Sequence, residues 1–291
     1  MDALPAWHHG SCVHRVTDSG FRVRFWGVRG SLPVSGAEFQ AYGGNTICIE
    51  MRCGDRCLIF DAGSGLMPAG VALKAEGLSR FDLFFTHSHY DHIIGLPFFP
   101  PIFDRNASVT FWSGHLAGRM STHRMIGEFM RPPWFPVEPD ICCAALRTRD
   151  FRAGEPLAPA DGITIRTGAL NHPGGAVGYR VECGGRAVAM ITDTEHEPGT
   201  LDPTVLALIE KADLFIYDAS YTDAEMPRYR GYGHSSWQQA VRLAQAAGAA
   251  RVALIHHAPL RTDRELDAIH QQAQATFDGA FVARDGQILD L

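Results

Sequence analysis

The chain has 291 residues, of which 46% are hydrophobic and 20% charged, and its formal net charge at pH 7 is −6. This length and composition fit one large or two small globular domains, and no apolar run approaches the roughly 20 residues that a membrane span needs. The seven cysteines are scattered and odd in number, which argues against a disulfide framework, and the N-terminus has no secretory pattern, so we expect a cytoplasmic protein without a membrane partner.

Apolar runs separated by turn residues predict ten strands and five helices. The strands are expected near residues 22–28, 46–52, 56–61, 81–86, 108–112, 163–167, 177–183, 186–192, 213–217 and 251–255. The helices are expected near residues 66–76, 119–129, 201–211, 236–247 and 263–276. Residues 1–20 are expected to form a loose tail. Two strand-rich halves whose outer faces need cover predict an α/β (α+β) architecture, with sheets packed on each other and helices outside.

The segment from Thr86 to His92 carries three histidines and an aspartate directly after the apolar run 81–85. If that run is a buried strand, His87 and His89 lie on one side of the extended chain, since side chains two residues apart share a face. Asp91 and His92 then begin a short helical turn and approach from a second direction. This density of imidazole and carboxylate donors indicates a metal site with ligands for two ions.

The pattern His-x-His-x-Asp-His after a hydrophobic strand resembles the signature of the metallo-β-lactamase-fold hydrolases. The resemblance implies a four-layer αβ/βα sandwich with metals at one edge, and further ligands at later strand ends. The implied ligands of one ion are His87, His89 and His172; those of the other are Asp91, His92 and His256, with Asp193 bridging the two. His257 stays open as the alternative to His256, because adjacent strand residues point to opposite faces. Ligands from both halves imply a single domain over residues 21–291.

Two divalent ions that share a water can lower its pKa, so a hydroxide bridging them is the expected nucleophile. Imidazole and carboxylate donors without a thiolate suit Zn²⁺, and Mn²⁺ or Fe²⁺ would fit the same set. Asp91 is thereby expected to serve catalysis as well as metal binding.

A second pair of motifs is Tyr217–Tyr221, which contains Asp218, and Gly233–Ser236, which contains His234. Together they resemble the phosphodiesterase branch of the same superfamily, which includes tRNA 3′-end-processing endonucleases and smaller phosphodiesterases. The resemblance implies that His234 is a general acid and that Asp218 orients it. The alternatives are a serine helix cap with an incidental histidine and an ordinary turn aspartate. Asp61, at the end of an N-terminal strand, is expected to support a ligand imidazole.

Substrate size is inferred from the 20 residues between His172 and Asp193, where tRNA-processing relatives insert a protruding arm. These residues predict a hairpin around Gly184-Gly185. With the net charge of −6, this favours a small phosphodiester, such as a cyclic nucleotide or a ribose cyclic phosphate, over a large nucleic-acid partner. The alternatives are a lactone, thioester or β-lactam hydrolase on the same fold, and a non-hydrolytic metal-binding scaffold.

Residues 113–139 form an amphipathic segment that is a candidate lid or dimer insert. Arg131 and Trp134 within it are candidate substrate contacts, as is Arg230 just before His234. The alternative is a surface helix that packs its apolar stripe on a sheet. A homodimer is expected by analogy alone.

Overall fold

The computed structural model describes residues 20–291, so the predicted N-terminal tail lies outside the described residues except for Gly20. Fourteen strands in the described part form two sheets of seven. The first sheet contains β1 (Phe21–Gly27), β2 (Cys48–Cys53), β3 (Arg56–Phe60), β4 (Arg80–Phe85), β5 (Ser108–Ser113), β6 (Ala145–Asp150) and β14 (Ile288–Asp290). The second contains β7 (Leu157–Ala160), β8 (Ile163–Leu170), β9 (Ala176–Cys183), β10 (Arg186–Ile191), β11 (Leu214–Asp218), β12 (Val252–Ile255) and β13 (Ala280–Val282).

Six α-helices complete the described chain. They are α1 (Leu66–Ala75), α2 (Tyr90–Ile93), α3 (Thr122–Phe129), α4 (Pro203–Ile209), α5 (Trp237–Ala247) and α6 (Asp263–Thr276). Short 3₁₀ turns lie at Ala37–Phe39, Leu96–Phe98, Pro100–Phe103, Pro139–Ile141 and Met226–Arg228. None of the helices in the described part is long and apolar enough to cross a lipid bilayer.

Strand direction brings several strand ends to one edge of the molecule. The first sheet has the order β14-β1-β2-β3-β4-β5-β6, and β3 to β6 are parallel. The second has the order β13-β12-β11-β10-β9-β8-β7, and β10 to β13 are parallel. Because β9 is antiparallel to both β8 and β10, β8 runs in the same direction as β10. In open sheets of this kind, ligands bind outside the carboxyl ends of the strands.

The apolar core lies at three interfaces between four layers: helices, the first sheet, the second sheet and helices again. This is the predicted four-layer sandwich. The inner faces of the two sheets pack on each other through residues such as Phe25, Phe60, Val181 and Ile216. The outer face of the second sheet packs on α4, α5 and α6, and that of the first on α1 and α3. Strands such as β11 and β12 are therefore buried on both faces, which is why they appear in the sequence as nearly continuous hydrophobic runs, whereas Asp82 interrupts the run of β4.

The ten predicted strands and five predicted helices are all present, with shifted ends, and four short strands were not predicted. Strand β6 has the sequence ALRTRD and is largely exposed, so no apolar run marks it. Strand β7 contains a proline, and β13 and β14 have three residues each. All four are edge strands; β6 and β14 are largely exposed, while β7 and β13 are too short for a periodic hydrophobic pattern to show.

The segment 113–139 packs against the first sheet. Helix α3 begins after Ser121, whose side chain accepts a hydrogen bond from the Arg124 amide at 3.2 Å, and so starts later than predicted. Met125, Ile126 and Met130 are buried in the outer core of the first sheet. Helix α3 therefore packs its apolar stripe on the sheet, and a role of residues 113–139 as a lid or dimer insert stays a prediction.

Candidate active site

The predicted ligand residues stand where the strands end, at one edge of both sheets. His87 and His89 follow β4, while Asp193 and His256 follow β10 and β12. Five non-glycine residues in the described part have a positive φ, and four of them belong to this edge. The four are Ser31, Asp61, Asp193 and His256, with φ between 54° and 61°. Such conformations cost energy and concentrate at functional sites, because the chain must turn sharply to direct each side chain inward.

Three imidazoles form the first group of donors. His89 Nδ1 lies 2.9 Å from His87 Nε2 and 3.0 Å from His172 Nε2. His172 Nδ1 lies 2.8 Å from the carbonyl oxygen of Gly233, to which it donates, so its Nε2 carries a lone pair. Nitrogens bound to one tetrahedral zinc at 2.0–2.1 Å are separated by roughly 3.3 Å. The convergence of these three atoms therefore fits a shared metal ion.

A second group brings together Asp91, His92 and His256, with Asp193 between the two groups. His256 Nε2 lies 3.2 Å from both Asp91 Oδ2 and Asp193 Oδ1, and His92 Nε2 lies 3.3 Å from Asp91 Oδ2 and Asp193 Oδ2. Asp193 Oδ1 is also 3.8 Å from His87 Nε2. His92 Nε2 is buried and has no hydrogen-bond partner among the described residues, although its Nδ1 has one. An orphaned buried nitrogen of this kind fits a metal ligand.

The charges of the cluster also fit a cation. Burial lowers the pKa of His87 well below its usual range, so this imidazole is neutral and able to coordinate. Burial opposes ionisation of Asp193, but His256 and His92 outweigh it and hold the pKa of this carboxyl well below normal. Burial likewise opposes protonation of His256, yet the Asp193 and Asp218 carboxylates raise its pKa to about 9. The carboxylates thus stabilise positive charge between them. Either protonated imidazoles or bound divalent ions can supply that charge.

The structure separates His256 from His257. His256 joins the cluster, whereas His257 Nε2 lies 3.0 Å from the carbonyl oxygen of Ala283, away from the donors. The positive φ of 59° at His256 ends the strand and turns its imidazole toward the site. Of the two alternatives, only His256 lies among the clustered donors, and its role as a metal ligand stays a prediction.

Neighbouring residues fix the ligand imidazoles. Asp61 Oδ2 lies 2.8 Å from His92 Nδ1, and the same carboxylate accepts hydrogen bonds from the Thr86 amide and hydroxyl at 2.7 Å. Ser220 Oγ lies 2.9 Å from His256 Nδ1. Such partners set the ring orientation and tautomer of a metal-binding histidine. The sequence pointed to Asp61, but Ser220 was missed because it lies 36 residues from its partner.

Asp218 and His234 form a contact pair beside the cluster. Asp218 Oδ2 lies 2.8 Å from His234 Nδ1, while its Oδ1 accepts hydrogen bonds from the Ser220 amide and hydroxyl. Burial opposes ionisation of Asp218, but His234 and His256 outweigh it and lower the pKa of this carboxyl. The His234 ring stacks on His256 with centroids 4.7 Å apart. Ser236 does cap α5, accepting a hydrogen bond from the Gln239 amide, so the helix cap and the His–Asp pair coexist.

The loop before His234 is held by a residue that sequence reasoning did not interpret. Glu195 accepts hydrogen bonds from the amides of Gly231 and Gly233, at 2.8 and 2.9 Å. Both glycines have a positive φ, and a Cβ at Gly233 would stand 2.2 Å from His172 Nδ1. The Gly-x-Gly pair before His234 is the visible sequence signal of this tight loop, but its carboxylate partner lies more than 30 residues upstream.

An open cavity of about 520 Å³ lies over the cluster. It is lined by Ser31, Ser88, His89, Tyr90, Asp91, Asp193 and His234. Arg131 and Trp134 are surface residues outside this lining, and Arg230 lines a separate cavity of about 640 Å³ together with His196 and Arg242. Substrate contact by Arg131, Trp134 and Arg230 stays a prediction.

Comparison with known proteins agrees with this geometry. The profile of a family described as "Beta-lactamase superfamily domain" matches residues 56–257, more than half of the chain. The chain belongs to the β-lactamase superfamily. The ribonuclease Z of Gemmatimonas aurantiaca is 25% identical to it over 327 aligned positions, covering 92% of this chain and 95% of that protein.

Solved structures show the same fold as this β-lactamase superfamily member. The metallo-β-lactamase fold protein YhfI from Bacillus subtilis has a TM-score of 0.71 at 19% identity, covering 94% of this chain and all of that one. The short form of human tRNase Z has a TM-score of 0.64 at 20% identity, covering 92% and 98%. The predicted metallo-β-lactamase sandwich and its phosphodiesterase branch are confirmed. The chain is a metal-dependent hydrolase, so the alternative function of a non-hydrolytic metal-binding scaffold is excluded.

One expectation is wrong. The net charge and the short interval between His172 and Asp193 predict no large nucleic-acid partner, but the relative that aligns over nine-tenths of this β-lactamase superfamily chain is a ribonuclease Z. Net charge is a sum over the whole surface, and it does not report how charge is distributed locally. The expected homodimer and cytoplasmic location stay predictions.

Proposed function

We propose that this hydrolase cleaves phosphodiester bonds in RNA, with two divalent ions, preferably Zn²⁺, held by the cluster and His234 as general acid. The observation that carries the proposal is the 2.8 Å contact between Asp218 and His234 directly beside the metal-binding donors. The same pair resembles the Asp–His motif of the phosphodiesterase branch, so we propose a phosphodiester ahead of a lactone, thioester or β-lactam.

The proposed ligand sets are those implied by the sequence resemblance. His87, His89 and His172 hold one ion, Asp91, His92 and His256 hold the other, and Asp193 contacts both. When bound, the ions would lower the pKa of a water between them and neutralise charge on the phosphoryl oxygens. Asp61 and Ser220 keep His92 and His256 in the orientation that this binding requires.

The chain's own acid is placed to complete the reaction. Asp218 accepts the Nδ1 proton of His234, so the proton that His234 gives up is the one on Nε2. Its ring lines the cavity over the cluster and is 13% exposed, which leaves this nitrogen accessible to substrate. Transfer of the proton to the departing ribose oxygen leaves a neutral imidazole, whose remaining proton is still held by Asp218.

RNA is proposed as the substrate because a ribonuclease Z, that of Gemmatimonas aurantiaca, aligns over 92% of this chain. A small phosphodiester, such as a cyclic nucleotide or ribose cyclic phosphate, is the second candidate. It is favoured by the β9–β10 hairpin, in which Cys183 pairs directly with Arg186 around a two-residue turn. The aligned length of 327 positions exceeds this chain of 291 residues, so the relative carries segments that this chain lacks.

The test is a substrate comparison at defined metal content. Protein stripped of metal and reloaded with zinc is assayed for bound zinc and for initial rates on a labelled RNA oligonucleotide, a 2′,3′-cyclic nucleotide and a lactone. We expect two equivalents of zinc and cleavage of RNA. Turnover of the cyclic nucleotide with intact RNA would favour the second candidate. Hydrolysis of the lactone with both phosphodiesters untouched would overturn the proposal.

A further inference from the structure

A basic cleft opens at the side of the sandwich, away from the metal-binding cluster. Its volume is about 750 Å³, and it is bounded by β3 to β6 of the first sheet and by β7 of the second. Four arginines line it: Arg56, Arg80, Arg147 and Arg149. Trp112 lines the same cleft, and Asp82 is the one acidic residue in the lining.

The charge of the cleft is strongly positive. Asp82 is buried and already engaged, since it forms an ion pair with Arg56 and accepts a hydrogen bond from Trp112 Nε1 at 3.1 Å. Arg80, Arg147 and Arg149 are exposed and form no ion pair within residues 20–291. Three arginines therefore face the cleft without a compensating carboxylate, although the whole chain carries a net charge of −6.

We propose that this cleft binds the phosphates of a single-stranded RNA segment that flanks the cleaved bond; the inference rests on the proposed function. Guanidinium groups pair with phosphate oxygens in a two-pronged geometry that lysine lacks. The cleft is bounded by both sheets, which pack about 10 Å apart, and this spacing suits a single strand rather than a double helix. Single strands bind in positively charged grooves that also offer aromatic side chains.

The strand register connects the cleft to the site. Arg149 is paired with Trp112, and Trp112 with Phe84, three residues before His87. With a rise of about 3.3 Å per residue and about 4.8 Å between strands, Arg149 starts roughly 14 Å from the metal-binding edge. A strand of a few nucleotides can span this distance, so the cleft supplies RNA contacts without a protruding arm.

The competing explanation is that these arginines protect an edge. Strand β6 ends the first sheet, and charged residues on an edge strand discourage pairing with another chain. Edge protection predicts effects on aggregation, whereas an RNA cleft predicts effects on RNA affinity.

The experiment compares Arg147→Glu/Arg149→Glu with Arg105→Glu/Arg264→Glu, two exposed arginines elsewhere that give the same change in charge. Both pairs are placed in metal-loaded His234→Ala protein to stop turnover. Fluorescence anisotropy with a labelled single-stranded RNA 12-mer then gives Kd at several salt concentrations. In otherwise wild-type protein, the same pairs are assayed on bis(p-nitrophenyl) phosphate, which is too small to reach the cleft.

We expect the cleft pair to raise Kd at least tenfold and to reduce the salt slope by about 1.4, the value for two lost contacts to a single strand. The control pair should change Kd less than threefold, and both should keep the small-substrate rate within twofold. The proposal that the cleft binds RNA would be overturned if the cleft pair and the control pair of substitutions raised Kd equally, or if the parent protein did not bind RNA. Aggregation of the cleft variant with an unchanged Kd would overturn it as well. Because binding is measured without turnover, an enzyme inert on phosphodiesters would overturn the proposed function, whereas the Kd values alone decide whether the cleft binds RNA.

Discussion

Single residues at the site connect loops that are distant in sequence. Glu195 lies two residues after Asp193 and binds two amides of the loop that carries His234. His172, a proposed metal ligand, donates to the Gly233 carbonyl of the same loop. His234, the proposed general acid, is thus positioned by residues of the loops that carry the proposed metal ligands.

Replacing Glu195 should therefore misplace His234 without removing it. Glu195→Ala frees two amides, and we expect kcat on RNA to fall by about 10- to 100-fold, since small displacements of a catalytic group have effects of this order. Glu195→Gln, which keeps an acceptor oxygen, should lose less. Steady-state kinetics check this, with Glu38→Ala as the control because that side chain is exposed and forms no ion pair within residues 20–291. A fall in KM alone, or equal losses in all three variants, would contradict the positioning role.

Asp285 gives a pH-dependent contribution to stability. Burial raises its pKa from 3.8 to about 6, although the Asn45 amide partly offsets this. The folded state thus binds this proton more tightly than the unfolded state, so the contribution is fully present below pH 3.8 and is lost as pH rises through about 6. At neutral pH, the ionised carboxyl is a cost of at most about 3 kcal/mol.

Asp285→Asn removes this titration. Relative to wild type, the variant should gain unfolding free energy between pH 4 and pH 7, by up to about 3 kcal/mol. Urea unfolding of the two metal-free proteins at both pH values measures the difference. Parallel stability profiles would show that Asp285 does not carry this dependence.

At the scale of elements, two helical glycines have opposite surroundings. A Cβ at Gly70 in α1 would stand 2.6 Å from Phe99 and Pro100, whereas one at Gly127 in α3 would have nothing within 4 Å. Gly127→Ala should stabilise the fold by about 0.5–1 kcal/mol through its better helix propensity. Gly70→Ala should destabilise it by about 1–3 kcal/mol through overpacking. Thermal unfolding of both variants tests these two predictions. A Gly70→Ala protein as stable as wild type would show that α1 can move to accommodate the added Cβ.

Elements buried on both faces were predictable from sequence, and elements at the edges were not. Strands β4, β10 and β12 are mostly apolar runs that end close to the clustered donors, so both the strands and the candidate ligands His87, Asp193 and His256 could be predicted. Partners such as Ser220 and Glu195 depend on how distant loops meet, which no local spacing reports. The basic cleft was not predicted for the same reason, because its arginines lie on strands that come together only in the folded sheet.

At the scale of the whole molecule, metal binding should contribute to folding stability. The donors come from both sheets, so an ion bound there links the two halves. At zinc concentrations 1,000-fold above Kd, each site adds about 4 kcal/mol to the unfolding free energy. Calorimetry should show a higher Tm for zinc-loaded than for chelated wild type. The increase should shrink in His92→Ala and persist in His123→Ala, an exposed histidine of α3; equal increases in both would contradict the assignment.

The measurement that tests the central claim most directly is leaving-group dependence. Zinc-loaded wild type and His234→Ala are compared on a ribodinucleotide, whose alkoxide needs a proton, and on a p-nitrophenyl ester of a nucleotide, whose leaving group needs little help. The account predicts that wild type hydrolyses both, and that His234→Ala loses about 10²- to 10⁴-fold on the dinucleotide but under about tenfold on the aryl ester. Equal losses on the two substrates, or a wild type inert toward both, would contradict it.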